Sequence, residues 1–193
     1  MPVYRTWIKA CLFSFALWAP LSQAAQTWQP IQETIRKSEK DNRQYQAIGL
    51  DNGMVVLLVS DAKAVKSLSA LVVPVGSLQD PDSHAGLAHY LEHMSLMGSK
   101  KYPQPDALSE YLKMHGGSHN ASTAPYRTAY YLEVENDALE GAVDRLADAI
   151  AEPLLAKKYA QRERNAVNAE LTLARSRDGM RMAQVSADTL NPA

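Results

Sequence analysis

The stretch GLAHYLEHMSLM, residues 86–97, decides how this chain is read. Within it His89, Glu92 and His93 stand in the order H-x-x-E-H, the inverse of the metal-binding H-E-x-x-H pattern. At about 100° per residue, helical positions i, i+3 and i+4 share one face, so two imidazoles and a carboxylate point the same way. That is the first half of a metal site. The neighbours are apolar almost all round, and Leu87, Leu91 and Met94 fall opposite the His/Glu stripe as an expected core-facing ridge. Ala85 and Gly86, one turn before His89, are small enough to leave room for a close approach on the ligand face. A helix this apolar is expected to be buried, and buried His and Glu need hydrogen-bond partners or a metal. The bland alternative is a pair of core histidines satisfied by backbone carbonyls.

A catalytic zinc site takes three protein ligands and leaves a fourth position for water. Residues 156–175, AKKYAQRERNAVNAELTLAR, supply a candidate third donor on one long predicted helix of good formers without Gly or Pro. Glu163 and Glu170 are seven apart and lie within about 20° of each other around that helix. The face they share otherwise carries Tyr159, Ala166, Val167, Leu173 and Ala174. Two carboxylates on an apolar face are unusual, although pairing with Lys157, Arg162 or Arg164 would also satisfy them. If this face packs against the H-x-x-E-H helix, one glutamate is expected as ligand and the other as support behind a ligand.

Three stretches carry a resemblance: GLAHYLEHMSLMGSKKYP (86–103), GGSHNASTAPYRTAYYLEVEND (116–137) and ERNAVNAELTLARSRDGMRMAQVSA (163–187). Together they resemble the inverzincins, the M16 or insulysin-like zinc metallopeptidases, and the likeness runs through nearly the whole chain. The resemblance implies that His89, His93 and Glu170 are the ligands of one Zn²⁺, Glu92 the general base and Glu163 a helper carboxylate. It implies that small polypeptide substrates bind as an added strand beside Asn120 and Ala121, held mostly by main-chain hydrogen bonds. Members of the family are longer, with four related domains closing into a chamber. This sequence is accordingly expected to be the N-terminal part of the first domain, with the C-terminal domains of the same enzyme as its missing partners. The expected activity is that of a zinc metalloendopeptidase, weak or absent in this portion alone. The alternatives are a truncated, non-catalytic peptide-binding or structural module, or a closed structural metal site.

The expected chemistry needs these residue types. Two neutral imidazoles and a carboxylate leave Zn²⁺ enough charge to lower the pKa of bound water toward ~7 and to polarise a carbonyl. Glu92, adjacent to His93, can take a proton from that water and deliver it to the leaving amine.

The start of the chain speaks to compartment. Arg5 and Lys9 precede an apolar run from Ala10 to Ala19, and Ser22 and Ala24 put small residues at −3 and −1. Residues 1–24 are therefore expected to be a secretory signal peptide cleaved after Ala24, too short in its apolar run for a stable anchor. Cys11 is the only cysteine, so the mature chain, residues 25–193, holds neither a disulfide nor a thiolate metal site. That suits an oxidising compartment, and the resemblance makes it the bacterial periplasm. Without Arg5 and Lys9 the mature chain carries 18 basic and 21 acidic residues. This balance suggests no nucleic-acid partner and no anionic membrane surface.

The fold class expected is α+β: a mixed, largely antiparallel sheet with helices packed on one face, an incomplete first domain of an M16-type peptidase. Residues 29–42 are a polar, loosely ordered lead-in. Tyr45–Leu50 and Met54–Val59 flank Asp51-Asn52-Gly53 as a hairpin. Leu68–Val75 is a strand that Pro74 marks as an edge or an end. Asp82-Ser83 is expected to cap the His/Glu helix. A helix from Asp106 stops at His115-Gly116-Gly117, the short polar run 118–123 suits an extended edge, and Thr128–Val134 is a strand. Asn136 caps a helix buried along Leu139, Val143, Leu146 and Ile150, which Pro153 ends.

Overall fold

The turn at Asp51-Asn52-Gly53 forms as its chemistry requires. Gly53 sits at φ 86°, and the Asn52 side-chain oxygen accepts the Met54 N–H at 3.0 Å. The flanking strands are Gln44–Leu50 and Val55–Ser60, paired antiparallel from Gln44 opposite Ser60 to Gly49 opposite Val55. The protein is described here by a computed structural model covering residues 27–189 except Glu33. The expected signal peptide, its cleavage site and Cys11 lie outside the described residues.

The chain divides between Ala62 and Lys63 into two compact units. In the first, Trp28–Pro30 (β1) pairs with Gln44–Leu50 (β2), and Val55–Ser60 (β3) lies on the other side of β2, giving the order β1-β2-β3. The lead-in is thus more ordered than its polarity suggests. Its far end is fastened by Asp41, whose carboxylate accepts from the Arg43 backbone and guanidinium and from the Tyr45 hydroxyl. Those hydrogen bonds, Arg43 first and Tyr45 second, hold the Asp41 carboxyl far below the usual carboxylate range.

The second unit is a three-stranded antiparallel sheet with helices on one face. Its strands are Lys66–Val73 (β4), Ser118–Thr123 (β5) and Thr128–Glu135 (β6), in the order β4-β6-β5. β4 stops just before Pro74, as expected. Along β6, Thr128, Tyr130, Leu132 and Val134 are buried while the alternate residues are not, so one face carries the core. The helices are Leu87–Ser95 (α1), Ala107–Met114 (α2), Leu139–Ala151 (α3), Lys157–Arg175 (α4) and Asp178–Thr189 (α5). Leu108 and Leu112 of α2 and Ala142 and Leu146 of α3 close over the β6 face. The α+β class with largely antiparallel pairing is as expected; among the described residues the strands form two three-stranded sheets, one in each unit, both antiparallel throughout.

Three local expectations are corrected. Val143 is exposed, and the buried residues of α3 are Ala142, Leu146 and Ala149, with Ala138 buried just before it. Small residues win because α3 lies close against α2, where a Cβ at Gly141 would collide with the Tyr111 hydroxyl. Asp82 and Ser83 form a separate 3₁₀ turn with His84 and do not cap α1. Gly86 precedes α1 in the left-handed conformation, φ 90°, and Asp80 accepts the N–H groups of Gly86 and Ala88 at 2.7 and 2.8 Å. The ridge is also not uniformly buried: Met94 is, but Leu87 and Leu91 remain 44% and 48% exposed. The buried members of α1 are Glu92, Met94 and Ser95, because its polar stripe turns toward α4 and β5.

Leu112 is fully buried between α2, β6 and α3. Leu112→Ala should cost about 3 kcal/mol of unfolding free energy, read from the denaturant midpoint at unchanged slope.

Candidate metal centre

Two helices build the site. α1 contributes His89, Glu92 and His93, and α4 contributes Glu163 and Glu170. The helices pack together, and the Tyr90 hydroxyl donates across the junction to the Ala160 carbonyl at 3.0 Å. Nε2 of His89 lies 3.3 Å from Glu170 Oε2, and Nε2 of His93 lies 3.6 Å from Glu170 Oε1. The two imidazoles meet edge to face with ring centres 5.0 Å apart. One donor atom from each of His89, His93 and Glu170 falls within a 4.8 Å set. Donors about 2.0–2.2 Å from a common tetrahedral centre lie about 3.3–3.6 Å apart, and both imidazole–carboxylate distances, 3.3 and 3.6 Å, fall in that range. Both residue types are ordinary zinc ligands.

The two carboxylates of α4 differ in their surroundings. Glu170 is exposed at the cleft, facing the imidazole Nε2 atoms. Glu163 is 7% exposed and lies behind His93, with Oε2 3.3 Å from Nδ1. Its other oxygen accepts from Arg162 Nε at 2.7 Å. A carboxylate accepting from Nδ1–H leaves the Nε2 lone pair directed at the donor cluster. Glu92 stands apart from the donor set: it is 6% exposed, and its Oε2 accepts from the Thr123 hydroxyl at 2.5 Å.

These groups line a cleft of about 460 Å³ whose opposite wall is β5. Asn120 and Ala121 are both on it. Burial alternates along β5, so His119, Ala121 and Thr123 face inward and Asn120 outward. Among the described residues β5 pairs with β6 alone, and no strand lies along its other edge. There the Ala121 N–H is met by the Asn120 side-chain oxygen at 2.9 Å. Gly86 owes its identity to its positive φ; a Cβ there would meet nothing within 4 Å, so the room expected on the ligand face is not what selects it.

Residues 55–193 match the model of the insulinase family, peptidase family M16. The chain belongs to that family. Among family members, Protease 3 of Escherichia coli (strain K12) is 85% identical over 188 residues, covering 97% of this chain and 20% of that protein. Protease 3 of Salmonella typhimurium (strain LT2) is 81% identical over the same length. The insulin-degrading enzyme of Homo sapiens is 44% identical over 158 residues, 82% of this chain and 16% of that one. A crystal structure of pitrilysin superposes with a TM-score of 0.83 at 87% identity, covering 86% of this chain and 18% of its own. The chain spans about a fifth of the length of the curated relatives it matches.

Sequence reasoning missed Thr123 and the pair of His119 with Ser109, whose Oγ lies 2.8 Å from Nε2. Period-2 alternation from Ala121 would have put His119 and Thr123 on the cleft side. Arg162 is one of three cations expected to be able to pair with the α4 glutamates, and the structure selects it for Glu163.

Burial, and secondarily Lys113, push the His119 imidazole below its ordinary 6.5. The unfolded chain therefore takes up this proton at higher pH than the folded one. The stability tied to neutral His119 is complete above pH 6.5 and falls as pH drops below it. His119→Gln should flatten that part of the stability profile, as measured by thermal unfolding at a series of pH values.

Proposed function

We propose that this chain is the metal-bearing portion of a zinc-dependent endopeptidase that hydrolyses peptide bonds in small polypeptides. The observation that carries the reading is the convergence of both Nε2 atoms on Glu170 while buried Glu92 stays outside the donor set. His89, His93 and Glu170 would hold one Zn²⁺. When bound, the ion supplies a Lewis acid that acidifies water and polarises a peptide carbonyl.

Glu92 is the general base: it takes a proton from water in the cleft and returns it to the leaving amine. The Thr123 hydroxyl occupies one oxygen of Glu92 and fixes the direction of the other. Glu163 holds His93 by Nδ1 and keeps Nε2 turned to the ligand set. The open edge of β5 receives the substrate as an added strand. Its approach exchanges the Asn120 side-chain oxygen for a substrate carbonyl at the Ala121 N–H. Recognition through the main chain asks little of the substrate's side chains.

The names Protease 3 and insulin-degrading enzyme support a peptide-cleaving role for the intact protein. The remaining length of those relatives supports a chamber completed by C-terminal domains. Residues 1–24 are proposed as a signal peptide, and the mature protein is proposed to work in the periplasm. Among the described residues no helix is long and apolar enough to cross a membrane. A non-catalytic module gains nothing from retaining the full donor set together with a separate buried glutamate.

The test is Glu92→Gln in the intact protein, with zinc content and peptide cleavage measured side by side. About one zinc per chain with cleavage reduced by ~10² or more is expected. Cleavage at the unaltered rate would remove Glu92 as the base. A companion substitution, Glu170→Ala, should lose the metal itself.

A further inference from the structure

Arg162 is the residue of α4 that precedes Glu163, and its side chain is 59% exposed. An exposed arginine beside an acid usually contributes little, because water and side-chain entropy compete with the pair. Here the partner is different: Glu163 is buried, and a buried carboxylate needs its oxygens satisfied. Arg162 Nε donates to Glu163 Oε1 at 2.7 Å, while Oε2 faces His93 Nδ1. The same guanidinium reaches the other helix: Nη2 lies 2.8 Å from Met97 Sδ, two residues past the end of α1. Its carbon lies 5.0 Å from the centre of the Tyr159 ring. The side chain therefore runs from α4 to the segment that closes α1 and brackets the contact between Glu163 and His93.

We propose that Arg162 is a positioning residue for the metal centre: by anchoring Glu163 Oε1 it aims Oε2 at His93 Nδ1 and so orients Nε2 toward His89 and Glu170. The inference rests on the zinc reading above. Arg162 acts entirely through Glu163, so its effect requires the Glu163 carboxylate. Lysine in its place keeps the charge but has no fork with which to hold Glu163 and Met97 together.

Zinc affinity of the intact protein, measured by competition with a chelator of known strength, tests this without reference to cleavage. Arg162→Ala should weaken zinc binding about 10-fold, within the range seen when partners behind a metal ligand are removed. Arg162→Lys should recover part of that loss. In a Glu163→Gln background, Arg162→Ala should cause no further change, since the two losses share one route. Wild-type affinity in Arg162→Ala, or an undiminished 10-fold loss in the Glu163→Gln background, would overturn the proposal. If Arg162→Ala does not fold, Arg162→Lys decides: affinity between wild type and Glu163→Gln supports it, and wild-type affinity overturns it. Absence of zinc from the wild-type protein would instead overturn the zinc reading on which it rests.

Discussion

The packing of α1 against α4 is the constraint from which the rest of the site follows. Each helix alone presents polar groups on an apolar face, and neither can bury that face without a partner for them. Together they satisfy each other: Glu163 meets His93, Glu170 meets both Nε2 atoms, and Tyr90 reaches the Ala160 carbonyl. The contacts between α1 and α4 thus include several polar, directional ones. A packing of that kind sets the rotation of each helix more tightly than leucines would, which is what a three-donor site requires.

The sheet supplies the second half of the arrangement. β6, central and buried on one face, anchors α2 and α3 and leaves β5 as an edge beside the donor cluster. An open edge is a liability in most proteins because it pairs with any extended chain. On the proposed reading, in a cleft whose far wall carries the His/Glu set, the same property would hold an extended polypeptide next to the reacting groups. Thr123 links the two halves, since it ends β5 and hydrogen-bonds Glu92 of α1.

What could be read in advance divides along physical lines. The H-x-x-E-H helix, the seven-residue spacing of Glu163 and Glu170, the Asp51-Asn52-Gly53 turn and the open strand 118–123 all follow from local periodicity and turn chemistry. The resemblance to the M16 peptidases supplied which glutamate faces the Nε2 atoms, a distinction that spacing alone left open. Tertiary detail escaped: Asp80 caps α1 across a left-handed glycine, and α3 buries alanines because of the closeness of α2. Leu87 and Leu91 looked like core by composition, yet α1 turns its polar stripe inward. Arg162 was one of three cations in sequence reach of the glutamates, and only the burial of Glu163 singles it out.

The central claim is that His89, His93 and Glu170 form one zinc site with Glu92 beside it and not in it. Crystals of the intact protein grown with zinc, measured on both sides of the zinc absorption edge, test it most directly. The account predicts an anomalous peak about 2.0–2.2 Å from Nε2 of His89, Nε2 of His93 and a Glu170 oxygen, with Glu92 not coordinated. A peak coordinated by Glu92 or Glu163 in place of Glu170, or no peak between the two helices, would contradict it.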